Sequence, residues 1–402
     1  MSIGKLPIAR RVLITNFVLD HGTGTEAYVR DLARRLVELD RHPVVYTPRV
    51  GRFAQGLIHD GIPVIDDLSK LSVTPDIIHG HHSLETAAAA TRFPSVPVIS
   101  FCHDAEAWHD TPLNLPNVVH YVGVDQACYD RLVIQGGISP EKVSLIPNGV
   151  NLDKFPVRTD FAEAPRSVLC FCNGFSDHHL DIVRSASPGL HVEGLGLGSN
   201  RFSADPGSIL PQFDIILARG RCAREAIASG AATIAAGVDG IASMVTPDNY
   251  SFLQRNNFGR RVLTKAFTVE NIRKEIDRYD AAATREVTLQ HRNQTCLANT
   301  VQQLTDLYDR EKSKFSENSP PVLESSISVS QLLAWASLHA NVVKSVAPPE
   351  QTPATLPAKQ QSSEEGNSPT VPTAKPKRSA PARIARECKR VVRRTLRAVS
   401  SP

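Results

Sequence analysis

Short apolar runs recur through roughly the first 240 positions, and the stretches between them carry apolar residues every three or four places. "RVLITNF" (11–17) is such a run. A glycine-rich turn, "DHGTGTE", follows it, and in the next segment Tyr28, Leu32, Ala33, Leu36 and Val37 recur at helical spacing. The runs "PVVYT", "IPVID", "DIIHG", "VPVISF" and "VVHYVGV" repeat the theme. "SLETAAAATRF" intervenes as a helix, with Ser83 as its expected N-cap. Strands that alternate with helices and read as apolar throughout predict a parallel, doubly wound sheet.

A second, smaller set begins after "KVSLIPNGVNLDKF": "SVLCFCNG", "HHLDIVRSA", "LHVEGL", "FDIILA", a helix over 221–230, and "ATIAAG". The expected organisation is therefore α/β, with two Rossmann-like halves, 1–150 and 151–312, facing across a cleft. Helices close the second half. From 313 the composition turns to Pro, Ser and Ala, which predicts a disordered linker over 313–380. A near-helical island around Trp335 interrupts it at 328–345.

Charge changes the picture at one end only. The 402 residues carry a net +4, but the segment from Lys375 onward carries +9, so the remainder is acidic at −5. Within 381–402, Ile384, Cys388, Val391, Val392, Leu396 and Val399 form one helical stripe flanked by arginines. Such a helix is expected to lie on an anionic membrane surface through residues 381–399. The alternatives are docking on the acidic core and nucleic acid. The lack of interleaved aromatics argues against nucleic acid. Seven scattered cysteines without zinc spacing read as reduced thiols, and no apolar stretch approaches the ~20 residues of a membrane span.

Candidate chemistry gathers at the carboxyl ends of the expected strands, where ligands of such sheets bind. "FDIILARGRCARE" puts Arg219 and Arg221 around Gly220, at the start of a helix whose amides are already positive. That placement is mildly unfavourable unless an anion, such as a diphosphate, belongs there. The plain alternative is an Arg221–Glu225 pair at i, i+4, and Arg before Glu is the poorer order. Glu225 is a candidate for ribose hydroxyls, and Arg221→Ala is expected to cost nucleotide binding more than stability. "SFCHDAEAWHD" sets His103 and Asp104 at a strand end, as candidates for acceptor handling or catalysis. His79, His81 and His82, with His103, lack a matching carboxylate or cysteine set, so no metal is expected. "SFLQRNNFGRRVL" offers Arg255, Asn256 and Asn257 before a turn at Gly259.

Three segments, over about 10–310, resemble the family 4 glycosyltransferases of two-domain GT-B architecture. "GTGTEAYVRDLARRL" is similar to the family's glycine loop and first helix, "SLIPNGVNLDKF" to its entry into the second domain, and "REAIASGAATIAAG" to its glutamate-bearing helix. The resemblance implies transfer of a hexosyl group from a nucleotide-sugar donor to an acceptor hydroxyl, without metal or other cofactor. Cell-surface polysaccharide or glycolipid synthesis on the cytoplasmic face of a membrane would be its setting. Donor contacts are expected at Asn148, Gly174, Arg219, Gly220, Arg221, Glu225 and Asn257. The acceptor-side loop would comprise Gly22, Thr23, Gly24, Thr25 and Glu26. Catalytic roles fall to His103, Asp104 and Glu225, although retaining transfer, usual in the family, does not require a base in that sense. Two departures stand out. "FCNGFSDHHLD" lacks the Arg and Lys that grip the donor diphosphate, and Leu217 stands where the first of two glutamates is usual. The rival reading is a relative that binds nucleotide or glycan without turnover.

Overall fold

A computed structural model describes residues 8–317 apart from 202 and 204. The expected island at 328–345, the basic helix at 381–402 and all but the first residues of the expected linker lie outside the described residues.

The N-terminal half holds β1 (Arg11–Thr15), α1 (Gly24–Glu38), β2 (His42–Tyr46), α2 (Ala54–His59), β3 (Val64–Ile65), β4 (Ile77–His81), α3 (Ser83–Arg92), β5 (Val98–Cys102), β6 (Val118–Gly123), α4 (Gln126–Asp130) and β7 (Val143–Leu145). The strands pair in the order β3-β2-β1-β4-β5-β6-β7, all parallel. Both faces of this sheet are covered, so β4 and β5 are buried at every residue.

The C-terminal half holds β8 (Ser167–Phe171), α5 (Asp177–Ala186), β9 (His191–Leu195), β10 (Ile215–Ala218), α6 (Gly220–Ala228), β11 (Ala232–Gly237), β12 (Gly240–Met244), α7 (Pro247–Arg255), α8 (Val269–Ile276), α9 (Ala281–Thr295) and α10 (Leu297–Glu317). Its order is β12-β11-β10-β8-β9, and β12 alone runs antiparallel, on the edge beside β11. Strand order reverses between β1 and β4 in one sheet and between β8 and β10 in the other. Open parallel sheets place their ligands at such points.

Three expectations change. Helix α10 does not close the second half. Val301, Leu304, Leu307 and Tyr308 join Val12, Ile14 and Leu32 in the core of the first. Arg41 and the Ala9 amide both bond Asp309, and this anchors the helix there. The helix also runs on to Glu317, past the expected linker start at 313, because Phe315 is still buried. Ser83 is the first residue of α3 rather than its N-cap, and its hydroxyl lies 2.8 and 2.6 Å from the carbonyl oxygens of His109 and Thr111. The two crossings between halves are tied to each other: the Val150 amide donates to Thr295 O at 2.7 Å, and the Leu297 amide to Val150 O at 2.9 Å. No helix among the described residues is long and apolar enough to cross a membrane.

Candidate active site

A cleft of about 900 Å³ opens between the carboxyl ends of the two sheets. It brings together nine of the residues expected from sequence: Gly24, Thr25, His103, Asp104, Asn148, Arg219, Gly220, Arg221 and Asn257. Its walls differ in charge. The C-terminal wall carries Arg219, Arg221, Arg260 and Arg261 and no carboxylate. The N-terminal wall carries Asp104, Glu106, Asp125 and Asp130 against Arg131 alone. Helix α6 starts in the cationic wall. Gly220 takes φ +57°, a conformation L side chains rarely adopt, and no side chain among the described residues caps the helix, whose first residues Gly220, Arg221 and Cys222 line the cleft.

Arg221 is held on two sides. Its Nε donates to Glu225 Oε1 at 2.6 Å, and one amino nitrogen, NH2, donates to Asp31 Oδ2, on α1 of the other half, at 2.7 Å. Lys154 Nζ donates to the other Asp31 oxygen at 2.7 Å, and Arg30 approaches it at 3.3 Å. Burial would raise the Asp31 pKa, but Arg221, Lys154 and Arg30 outweigh it and hold the carboxyl down to about 2. At Glu225 burial wins over Arg221, and the carboxyl is pushed up. Glu225 is 6 % exposed and does not line the cleft, so its expected contact with a ribose or the reaction gives way to a pair with Arg221. The expectation that Arg221→Ala costs nucleotide binding more than stability therefore carries a structural cost as well, because the variant removes the cation paired with the buried Glu225.

The acceptor-side loop also differs from expectation. Gly24 and Thr25 line the cleft, whereas Gly22, Thr23 and Glu26 do not. Glu26 is fully buried. Its Oε2 accepts from the amides of Asp20, His21 and Gly22 at 2.6, 2.9 and 3.1 Å, and its Oε1 from the Thr23 hydroxyl at 2.8 Å. Fully buried and with both oxygens bonded to the loop, Glu26 shapes the loop rather than lining the cleft. Gly174 lies outside the lining residues, in the turn after β8, while Cys172 and Asn173 before it reach the cleft. Leu217, where the resemblance expects a glutamate, is fully buried in β10.

His103 and Asp104 follow the carboxyl end of β5, and their amides both donate to Asp110 Oδ2 at 2.7 Å. Arg131 NH1 donates to the carbonyls of Asp104 and Ala107 at 2.7 and 2.8 Å, fixing the loop from the turn after α4. Burial pulls the His103 pKa down to about 4, and its Nε2 shares a proton with His81 Nδ1 across 2.7 Å. Burial raises Asp104, but the amides of Glu106 and Ala107, then Arg260, outweigh it and hold the carboxyl below its usual range. Neither group is tuned near neutrality to take a proton. What they present to the cleft is hydrogen-bonding capacity. Asn148 Oδ1 and Asn257 Oδ1 add two buried acceptors without a partner among the described residues, and Asn257 and Phe258 both take positive φ, 53° and 50°.

His82, His109 and Asp110 place one ligand-type atom each within 4.8 Å of the others. The Phe17 amide, however, donates to His82 Nδ1 at 2.9 Å, which puts the imidazole proton on Nε2. Neither nitrogen then has a lone pair for a cation, so this donor set does not fit a resident metal.

Sequence reasoning passed over Arg131, Asp125, Asp130, Glu106, Arg260 and Arg261. The Arg-Arg step after the Gly259 turn was the signal for the last two. These arginines cross the cleft mouth: Arg260 pairs with Glu106, and Arg261 NH1 lies 2.5 Å from Asp130 Oδ2.

The comparisons agree with this architecture. Residues 22–154 match the family model Glycosyltransferase Family 4. The solved structure of Alr3699/HepE from Anabaena, in complex with UDP and glucose, superposes with a TM-score of 0.53 at 16% identity, covering 74% of this chain and 99% of that one. The same protein in complex with UDP-glucose gives 0.53 at 15% identity, covering 74% and 98%. The fold is GT-B, and its first half is family 4-like. A glycosyltransferase from Rickettsia africae gives a TM-score of 0.48 at 15% identity, covering 75% of this chain and 98% of that one. No curated protein sequence matches the chain.

Proposed function

We propose that this GT-B chain is a glycosyltransferase whose cleft binds a nucleotide sugar and passes the sugar to an acceptor hydroxyl. The observation that carries the reading is the division of charge between the walls. Four arginines line the C-terminal wall, which contributes no carboxylate to the lining although each arginine meets an acidic side chain at its edge, and together with the uncapped start of α6 they form a surface matched to a diphosphate. Arg219 and Arg221 stand in for the Arg and Lys that the turn after β8 lacks. In this reading Arg219, Arg221 and the α6 amides stabilise the diphosphate as it leaves with the bonding electrons of the glycosidic bond. The opposite wall suits a hydroxyl-rich acceptor, with Asp104 and His103 as hydrogen-bond partners.

The second reading, binding without turnover, is favoured by Leu217, a core side chain where the resemblance expects a glutamate. One experiment addresses both. Thermal shift with UDP, GDP, ADP and their glucose conjugates is expected to show stabilisation by at least one diphosphate, about 2.7 kcal/mol at a hundredfold excess over its Kd. Incubation with the stabilising nucleotide sugar then reports release of nucleoside diphosphate. Stabilisation without release selects the second reading, and no stabilisation by any nucleotide overturns both.

A further inference from the structure

We propose that Asp31 is a positioning residue for the donor diphosphate, acting from the N-terminal half through Arg221. The inference rests on the donor reading above and names a part of that site which lies outside the cleft itself.

Asp31 is 4 % exposed on α1, 190 residues before Arg221 in sequence, and is not among the cleft-lining residues. It reaches the NH2 nitrogen of Arg221 at 2.7 Å, while Glu225 reaches Nε at 2.6 Å. The remaining amino nitrogen, NH1, makes no hydrogen bond or ion pair among the described residues, and Arg221 lines the cleft. A guanidinium is a rigid planar fork, so fixing two of its nitrogens fixes the third. Two carboxylates against Arg221, Lys154 and Arg30 leave one positive charge uncompensated in this network. That is the charge balance expected of a group that awaits an anion rather than of a closed structural ion pair.

The measurement is ligand-observed NMR titration of UDP and of uridine into wild type and Asp31→Asn. Asparagine keeps an acceptor oxygen but loses the charge that orients Arg221. The expected result is UDP affinity reduced about tenfold or more, the scale of one misplaced charge-assisted contact, with uridine unchanged because it has no phosphate. If Asp31→Asn fails to fold, Asp31→Glu keeps the charge on a longer arm, displaces Arg221, and is expected to show the same selective loss. Equal losses for UDP and uridine would mean a structural role and overturn the proposal. Unchanged or tighter UDP binding would overturn it as well, the latter by showing Asp31 to be a competitor for Arg221. Wild type that binds UDP while the variant does not differ sinks this inference alone. Wild type that binds no nucleotide sinks the donor reading and this inference with it.

Discussion

A buried glutamate on the third helical residue of α1 illustrates how ligand-type chemistry is absorbed by the backbone. The loop over residues 20–23 turns its amides inward, and buried amides need acceptors. Glu26 satisfies three of them and the Thr23 hydroxyl besides. In Glu26→Gln, one end of the side chain becomes an NH2 group facing donors. The expected cost is about 1–3 kcal/mol for each donor left unpaired, with little change in the cleft walls. Urea unfolding of the variant, with limited proteolysis at the loop, checks this. Wild-type stability together with lost acceptor binding would return Glu26 to the acceptor site. Arg221 makes the complementary point. Its odd placement beside positive amides is legible in sequence, as is its i, i+4 partner Glu225. Its cross-cleft partner Asp31 is not, because nothing in a linear pattern links α1 to a helix 190 residues later.

At the scale of elements, the strands were readable because parallel strands covered on both faces become unbroken apolar runs, as in "VPVISF" and "FDIILA". The edge strand β12 was not singled out. Its pairing with β11 is short and carries a register shift between Ile234 and Ala236. The home of α10 was also hidden, since an amphipathic helix shows that it has a buried face but not which core receives it. Leu304→Ala tests that assignment. Leu304 is fully buried in the first core, so the expected loss is about 2–5 kcal/mol. Hydrogen exchange should lose protection in β1, β4 and α1 before β8, β10 and β11. The reverse order would place α10 energetically in the second half.

Across the whole molecule, burial sets an acid response. Burial lowers the pKa of His79, His81, His82, His103, His109, His120, His179 and His291, with His103 and His120 at about 4. Unfolded histidine titrates near 6.5, so between roughly pH 6.5 and 4 the unfolded chain binds protons that the folded chain refuses. Stability from these groups is present above that window and is lost as pH falls through it. Four carboxyls act in the opposite sense. Burial raises Glu85 and Asp110 to about 7 and lifts Asp125 and Glu225. They are protonated in the fold before they are in the unfolded chain, so they gain stability as pH falls. Asp31 and Asp76, both held down to about 2, enter only below the unfolded carboxylate range near pH 4. Eight histidines against four carboxyls leave the unfolded chain with the proton excess, and each unbalanced proton tilts stability by about 1.4 kcal/mol per pH unit. The urea midpoint is therefore expected to drop between pH 7 and pH 5 at constant m-value. A midpoint that holds or rises over that interval would mean the raised carboxyls dominate, and that the histidine cluster beneath the cleft is open to protons in the folded state.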